Sequence, residues 1–242
     1  MSADVTLAYL HPEQVGHNFH RSLMDTLVWD VAHNQRLGSY LPMRCGTGGL
    51  VAGRNTAITN FLELPDTEWL WWVDTDMGWQ ADALDKLLDA ADPVERPVVG
   101  GLCFAWKETA LDGLNGYHCE TRPTIMDWVD LEQGAGHRFT GRTEWQADTL
   151  TKCDATGSAM VLIHRSVFAD IAEKLDAGGQ WYDRIRTSDG TDMGEDVSFC
   201  ARVGAAGHSV WVHTGVPTNH LKSVWVGPQL HPPVVGEIQQ TA

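Results

Sequence analysis

The sequence predicts one α/β domain, a mainly parallel central sheet flanked by helices and carrying a loop-rich insertion. Three observations lead there. Trp69-Leu-Trp-Trp-Val73 is a short continuous apolar run bounded by polar residues, as suits a strand buried on both faces. Apolar residues at helical spacing precede and follow that run. The order over Val5–Leu102 reads strand, helix, helix, strand, helix, strand, which makes crossover helices the natural connections.

Taken in order, Val5–Leu10 is the first strand. The series Val15, Phe19, Leu23, Leu27, Val31 recurs every four residues and predicts a helix that stops at Gly38. Cys45-Gly-Thr-Gly-Gly49 lacks the Gly-Lys-Ser/Thr continuation of a phosphate loop and reads as a plain flexible loop. Leu50, Val51, Ile58, Phe61 and Leu62 mark a second helix ending before Pro65, and Ala83, Leu84, Leu87, Leu88 and Ala91 a third. Pro97–Leu102 is a strand. From Cys103 to Leu150 the chain is rich in Gly, Asp, Arg and Thr with weak periodicity, so a loop-heavy excursion with room for a hairpin is expected. Pattern returns as a strand at Ser158–Ile163, helices at Ser166–Leu175 and Val197–Val203, and a strand at Ser209–His213. One domain over 1–226 and an extended tail over 227–242, with Pro228, Pro232 and Pro233, is the simplest division.

The 242 residues include 17 basic and 32 acidic side chains, a formal charge of −15. That balance favours solubility and disfavours non-specific binding to nucleic acid or anionic membrane, while leaving room for a local basic groove. Cys45, Cys103, Cys119, Cys153 and Cys200 are scattered with no CxxC pair, as expected of reduced thiols. The residues Met1–Val5 lack the pattern of a signal peptide, and no segment is long and apolar enough to span a bilayer. A soluble, cytoplasmic protein is expected.

Asp74-Thr75-Asp76 follows directly on the Trp69–Val73 strand. In open α/β sheets ligands bind outside the carboxyl ends of strands, and two carboxylates there can hold a hard divalent cation, Mg²⁺ or Mn²⁺. An Asp-x-Asp in a loop is more often only a solvated turn; its place after a buried strand raises it above that. Glu195 and Asp196 lie just before the predicted Val197–Val203 helix, where acidic residues commonly do no more than complement the dipole. The alternative is a general base that takes the proton of an attacking hydroxyl.

The order Arg54-Asn55, then Trp69–Val73 with Asp74-Thr-Asp76-Met77, Val98-Val-Gly-Gly101, Ala155-Thr-Gly157-Ser-Ala-Met160 and Gly194-Glu-Asp196 resembles GT-A glycosyltransferases. The resemblance is to the inverting, family-2-like type, including versions common in bacteriophages, and runs from about Val5 to Lys222. It implies a Rossmann-like GT-A domain using a nucleotide-sugar donor, best a UDP-sugar, with Mn²⁺ or Mg²⁺. It also implies Asp76 as metal ligand, Asp74 on the ribose or a metal-bound water, and Asp196 as base with Glu195 as neighbour and fallback. A late histidine joins the metal in many such enzymes; His220 stands where it is expected and His213 competes. Arg54, Tyr9, Thr75 and Gly101 would line the donor side, Gly157, Trp106 and Trp181 the acceptor side.

Duller readings cover much of the rest. His17 and His20 have no third ligand at metal spacing and read as surface residues. Trp69, Trp71 and Trp72 read as core, whereas Trp106, Trp145 and Trp181 fall in irregular stretches where an aromatic ring can stack on sugar or base. A haloacid-dehalogenase-type phosphatase also places Asp-x-Asp after a buried strand, but expects Thr or Val where this chain has Gly78, and the motif nearer the start. A nucleotide-sugar-binding module without turnover is the other rival. For the acceptor, Arg122, Arg138, Arg142 and Lys152 form a modestly basic region that suits a 5-hydroxymethylpyrimidine in phage DNA, flipped out or single-stranded. A virion protein or a surface glycan is the alternative.

Overall fold

A computed structural model of the chain describes residues 4–110, 117–130, 137–187, 190 and 192–223. Its strands are β1 (Val5–His11), β2 (Leu37–Arg44), β3 (Trp69–Val73), β4 (Met77–Gly78), β5 (Val98–Leu102), β6 (Phe104–Ala110) and β7 (Tyr117–Pro123). They continue with β8 (Ile125–Asp130), β9 (His137–Gly141), β10 (Leu150–Cys153), β11 (Ala155–Thr156), β12 (Met160–His164), β13 (Val210–Pro217) and β14 (Asn219–His220). The helices are α1 (His17–Ala32), α2 (Gly49–Leu62), α3 (Ala83–Ala90), α4 (Arg165–Lys174) and α5 (Glu195–Ala205).

Seven strands form the central sheet in the order β10-β13-β5-β12-β3-β1-β2. β1 runs parallel to β2 and β3, and β13 parallel to β5; β12 and β10 are the antiparallel members. Every residue of β3 and β5 is buried, because helices cover both faces and neither side of these strands meets water. Leu70 and Trp72 turn towards Ile58 and Phe61 of α2, Phe168 of α4 and Phe199 of α5. Trp69, Trp71 and Val73 turn the other way, towards Phe19 of α1 and Leu84 and Leu87 of α3. The chain leaves β1 through α1 to reach β2 on one side, then through α2 to reach β3 on the other. Connections that diverge on opposite faces open a crevice at the carboxyl ends of β1 and β3. Asp74 begins there.

Helix α1 shows why an apolar series is an incomplete guide. Steps of four residues overrun the 3.6-residue turn by about 40° each, so the series leaves the buried face: Leu27 is 38% and Val31 72% exposed. The residues that do face inward are Phe19, Ser22, Thr26 and Asp30. Their polar atoms are satisfied by the chain they pack on. Ser22 Oγ donates to the Trp79 carbonyl at 3.0 Å and accepts its backbone N–H at 2.9 Å. Thr26 accepts the Trp79 indole N–H at 2.9 Å, and Asp30 accepts the backbone N–H of Arg36 at 2.7 Å.

Three expectations are corrected. The helix ends at Ala32, not at Gly38; Leu37–Arg44 is an edge strand whose inward Leu37, Ser39, Leu41 and Met43 alternate with outward Gly38, Tyr40, Pro42 and Arg44. Gly and Pro at outward positions hide that strand's period and are tolerated because β2 is an edge. The segment from Cys103 to Leu150 carries two antiparallel pairs, β6 with β7 and β8 with β9, the latter extended by β11. Glu195 and Asp196 are the first residues of α5, not residues ahead of it. The tail over 227–242 lies outside the described residues.

Candidate active site

The Asp74-Thr75-Asp76 turn is pinned from several sides. Asp74 N–H donates to the Ala159 carbonyl at 2.8 Å and Met77 N–H closes the turn on the Asp74 carbonyl at 3.2 Å. Thr75 ties in the neighbouring strand end: its hydroxyl donates to the Leu10 carbonyl at 3.3 Å, and its own carbonyl accepts Gly16 N–H at 3.2 Å. The two aspartates leave this turn in different company.

Asp74 faces Arg54 of α2. Arg54 Nη2 donates to both Asp74 oxygens at 3.1 Å, and the Trp72 indole N–H donates to Oδ1 at 2.9 Å. Trp72 and Asp74 share a side of the chain because they stand two residues apart at the end of a strand. The other terminal nitrogen, Arg54 Nη1, donates to Asp196 Oδ1, and Glu195 lies 3.9 Å from it. Arg54 is 1% exposed and is clasped between aromatic faces, 5.4 Å from the Trp72 ring centre and 5.0 Å from that of Tyr182. Burial alone would lower its pKa; Asp196, then Asp74, outweigh that and drive it up, so the guanidinium stays charged. Burial raises the Asp74 carboxyl above its ordinary value, against the opposing pull of Arg54 and the Trp72 N–H. The next residue, Asn55, donates to Asp183 at 2.7 Å and accepts the Tyr182 backbone N–H at 3.0 Å, so it fixes the segment that carries the Tyr182 ring.

Asp76 faces the late histidine. The ribbon of β4 with β14 sets His220 opposite Met77, and Leu221 N–H donates to the Asp76 carbonyl at 2.8 Å. His220 Nδ1 lies 2.8 Å from the Phe104 carbonyl and must donate to it; Nε2 then faces Asp76 Oδ2 at 3.0 Å. Lys222 Nζ lies 3.4 Å from the same oxygen. The hydrogen bond to Asp76 raises the His220 pKa against the effect of burial. Burial would raise Asp76, but the His220 hydrogen bond outweighs it, helped by Lys222, and holds that carboxyl low. Of the two histidines, it is His220 that reaches Asp76; His213 sits in the middle of β13 with Nδ1 accepting Gly215 N–H at 3.1 Å. Among the described residues, no three of His, Cys, Asp and Glu gather into a metal cluster.

The remaining expected residues are dispersed. Trp106 lines an open groove of about 460 Å³ together with Phe104, Thr121, Thr218, His220 and Lys222. Trp181 is 4% exposed in the core and donates its indole N–H to the Phe168 carbonyl at 2.9 Å, so no face is left for an acceptor. Gly101 is buried, and a Cβ there would stand 3.0 Å from the Val216 carbonyl and 3.2 Å from Met160 Sδ. Its smallness serves strand packing. Gly157 likewise packs on Thr124. Tyr9 sits edge-on to Phe19 with ring centres 5.1 Å apart, at the far side of β1 from Arg54's helix. Trp72, Tyr182 and Lys222 escaped the sequence reading as site neighbours. Trp72 looked like core, though its two-residue offset from Asp74 was visible, and Lys222 stands only two residues beyond His220.

No protein-family model matches this chain, and no curated protein matches it. Solved structures do. The structure described as "Crystal structure of GalNAc-T7 with UDP, GalNAc and Mn2+" aligns over 90% of this chain with a TM-score of 0.53 and 9% identity. This chain has a GT-A-like fold. It spans 43% of the length of that GalNAc-T7 chain. The central sheet and the helices on its two faces account for the match in architecture. A second structure, "Crystal Structure of A197 from STIV", aligns over 90% of this chain and 86% of its own, with a TM-score of 0.48 and 16% identity. Among the described residues no helix is long and apolar enough to cross a membrane.

Proposed function

We propose that the chain is a glycosyltransferase that uses a divalent cation, Mn²⁺ or Mg²⁺, to take a sugar from a nucleotide-diphosphate donor. A UDP-sugar is the donor this reading favours, with inversion at the anomeric carbon. The observation that carries it is the pair of acidic stations at the carboxyl edge of a GT-A-like sheet: Asp76 with His220, and Asp196 held by Arg54. The solved GalNAc-T7 structure contains UDP and Mn²⁺, which supports the same class of donor here.

The residues present fit a cation. A metal-binding histidine commonly donates its second ring N–H to a carbonyl or carboxylate, which turns the other nitrogen to the metal. His220 has that arrangement through Phe104, and Nε2 and Asp76 Oδ2 are neighbours. Two protein ligands leave positions for diphosphate oxygens and water, as hard cations at phosphate sites require. When bound, such an ion would balance the charge that gathers on the departing diphosphate. Lys222, 38% exposed beside Asp76, adds a second positive charge on that side. Asp196 Oδ1 is taken by Arg54, while Oδ2 meets no partner among the described residues and is the atom that would receive the acceptor's proton.

The acceptor belongs to the same proposal. A 5-hydroxymethylpyrimidine in DNA, flipped or single-stranded, rests on Arg122, Arg138, Arg142 and Lys152. Arg142 is committed to Asp127 through bonds of 2.7 and 2.6 Å, and Arg122 pairs with Glu120 at 2.5 Å. Arg138 and Lys152 remain exposed. That neutralisation favours an acceptor without a phosphate backbone, a hydroxyl on a glycan or on a virion protein.

Thermal unfolding with UDP, GDP, ADP and dTDP, each with and without Mn²⁺, tests the donor site. At a roughly hundredfold excess over Kd, binding to the folded state contributes about 2.7 kcal/mol, a Tm rise of about 5–10 °C for a chain of this size. The rise is expected with one diphosphate and only with metal; no rise with any of them removes the donor reading. Asp196→Asn should keep that rise and lose turnover by about 10²–10⁴-fold. Unchanged turnover would remove Asp196 as the base.

A further inference from the structure

We infer that Arg54 is a positioning residue: a buried strut that fixes the strand-end carboxylate of Asp74 and the helix-start carboxylate of Asp196 in one geometry, without holding the nucleotide itself. The inference rests on the transferase reading above and gives one of its donor-side residues a different task. Asp74 and Asp196 come from elements far apart in the chain, and the contacts that join them at this edge run through one side chain, with Arg54 20 residues from Asp74 and 142 from Asp196. Both terminal nitrogens are committed, Nη2 to both oxygens of Asp74 and Nη1 to Asp196 Oδ1. The Nε is buried and meets no partner among the described residues. At 1% exposure the side chain has no surface to offer a ligand, and Trp72 and Tyr182 close on its two faces.

The carboxylates it holds are on the open side: Asp74 is 27%, Asp196 31% and Glu195 18% exposed. The guanidinium charge is therefore sunk behind carboxylates that are themselves partly exposed. A planar fork with fixed donor directions can orient two carboxylates at once, whereas an ammonium is a single point on a flexible stem. A carboxylate with one oxygen pinned has lost most of its rotation. Asp196 Oδ2 is left in a set direction, and a base works only when its atom is in hydrogen-bond reach of the proton it takes. Asn55 fastens the Tyr182 segment against the same helix, so the Arg54-Asn55 pair organises the site from behind.

The test uses water as acceptor and follows UDP release from UDP-glucose, UDP-galactose, UDP-N-acetylglucosamine and UDP-N-acetylgalactosamine with Mn²⁺. In that step the bond from the anomeric carbon to the diphosphate oxygen breaks, and its electron pair leaves on UDP. A bond to the water oxygen forms, and the water proton passes to Asp196. Arg54→Lys, which keeps the charge, should lower kcat at least tenfold and change the donor KM less than about threefold. In an Asp196→Asn background the same change should lower kcat at least about threefold less than it does in the parent, because the part of its effect that runs through Asp196 is gone and only the hold on Asp74 remains. Tm and UDP binding of all four proteins separate this from a failure to fold. A raised KM with kcat intact, or losses that multiply in the double variant, overturns the inference and leaves the transferase reading standing. An absence of UDP release by the unsubstituted chain, with all four donors, overturns both.

Discussion

Tyr182 stacks on Phe199 with ring centres 4.5 Å apart and planes 6° from parallel, turns its other face to Arg54, and donates its hydroxyl to Ser158 at 3.0 Å. All of this happens in the interior, where burial pushes the phenol pKa well up and keeps it a neutral donor. Tyr182→Phe keeps both ring contacts and leaves the buried Ser158 hydroxyl without its donor. The cost should be about 1–2 kcal/mol, a Tm fall of about 2–8 °C; a Tm equal to the parent would mean that hydroxyl is served elsewhere. Residues of this kind mark the limit of what the sequence makes legible. Asp76, His220 and Asp196 could be singled out because chemistry limits which residue types do such work. Tyr182 could not, and its neighbour Trp181 drew attention because it lies in an irregular stretch. Nothing in a local pattern tells which of two adjacent aromatics packs under the site and which packs in the core.

At the level of elements, most helices were legible from their spacing and the buried strands from unbroken apolar runs, and β2 was not, because Gly38 and Pro42 occupy its outward face. Helix α1 adds a second lesson: its inward stripe is mostly polar and is specified by what Trp79 offers. Thr26→Val keeps the shape and removes the acceptor of the Trp79 indole N–H. An orphaned buried donor should cost about 1–3 kcal/mol. Urea unfolding would read it as a lower midpoint at unchanged slope, whereas an unchanged midpoint would show that α1 docks through Phe19 alone. The pairing of β8 with β9 carries a different kind of tie, Arg142 to Asp127, which lies beyond any helical or strand period.

For the molecule as a whole, part of the acid limb of stability follows from carboxylates tied to neighbouring cations. The Arg142 hydrogen bonds hold Asp127 below its ordinary pKa, and Lys174, with His208, does the same for Asp170. A depressed folded-state pKa adds stability that is fully present above the unfolded value of about 3.9 and is lost as pH falls through the lower folded value. Tm should therefore fall as the pH drops below about 4. The difference between parent and Asp127→Asn should be greatest at pH 6 and vanish at the acid end. It should stay near 0.5–1 kcal/mol, or about 1–4 °C, because the pair is partly exposed; a difference that grows on acidification would reverse the assignment. The β4–β14 ribbon has a consequence for how the molecule comes into being. Asp76 and His220 are 144 residues apart, which at ribosomal speeds separates their synthesis by roughly 7–30 s. Throughout that interval a nascent chain holds the Asp74–Asp76 turn but not the imidazole that completes it. In the proposed function, the cation site is therefore complete only after translation has passed residue 220.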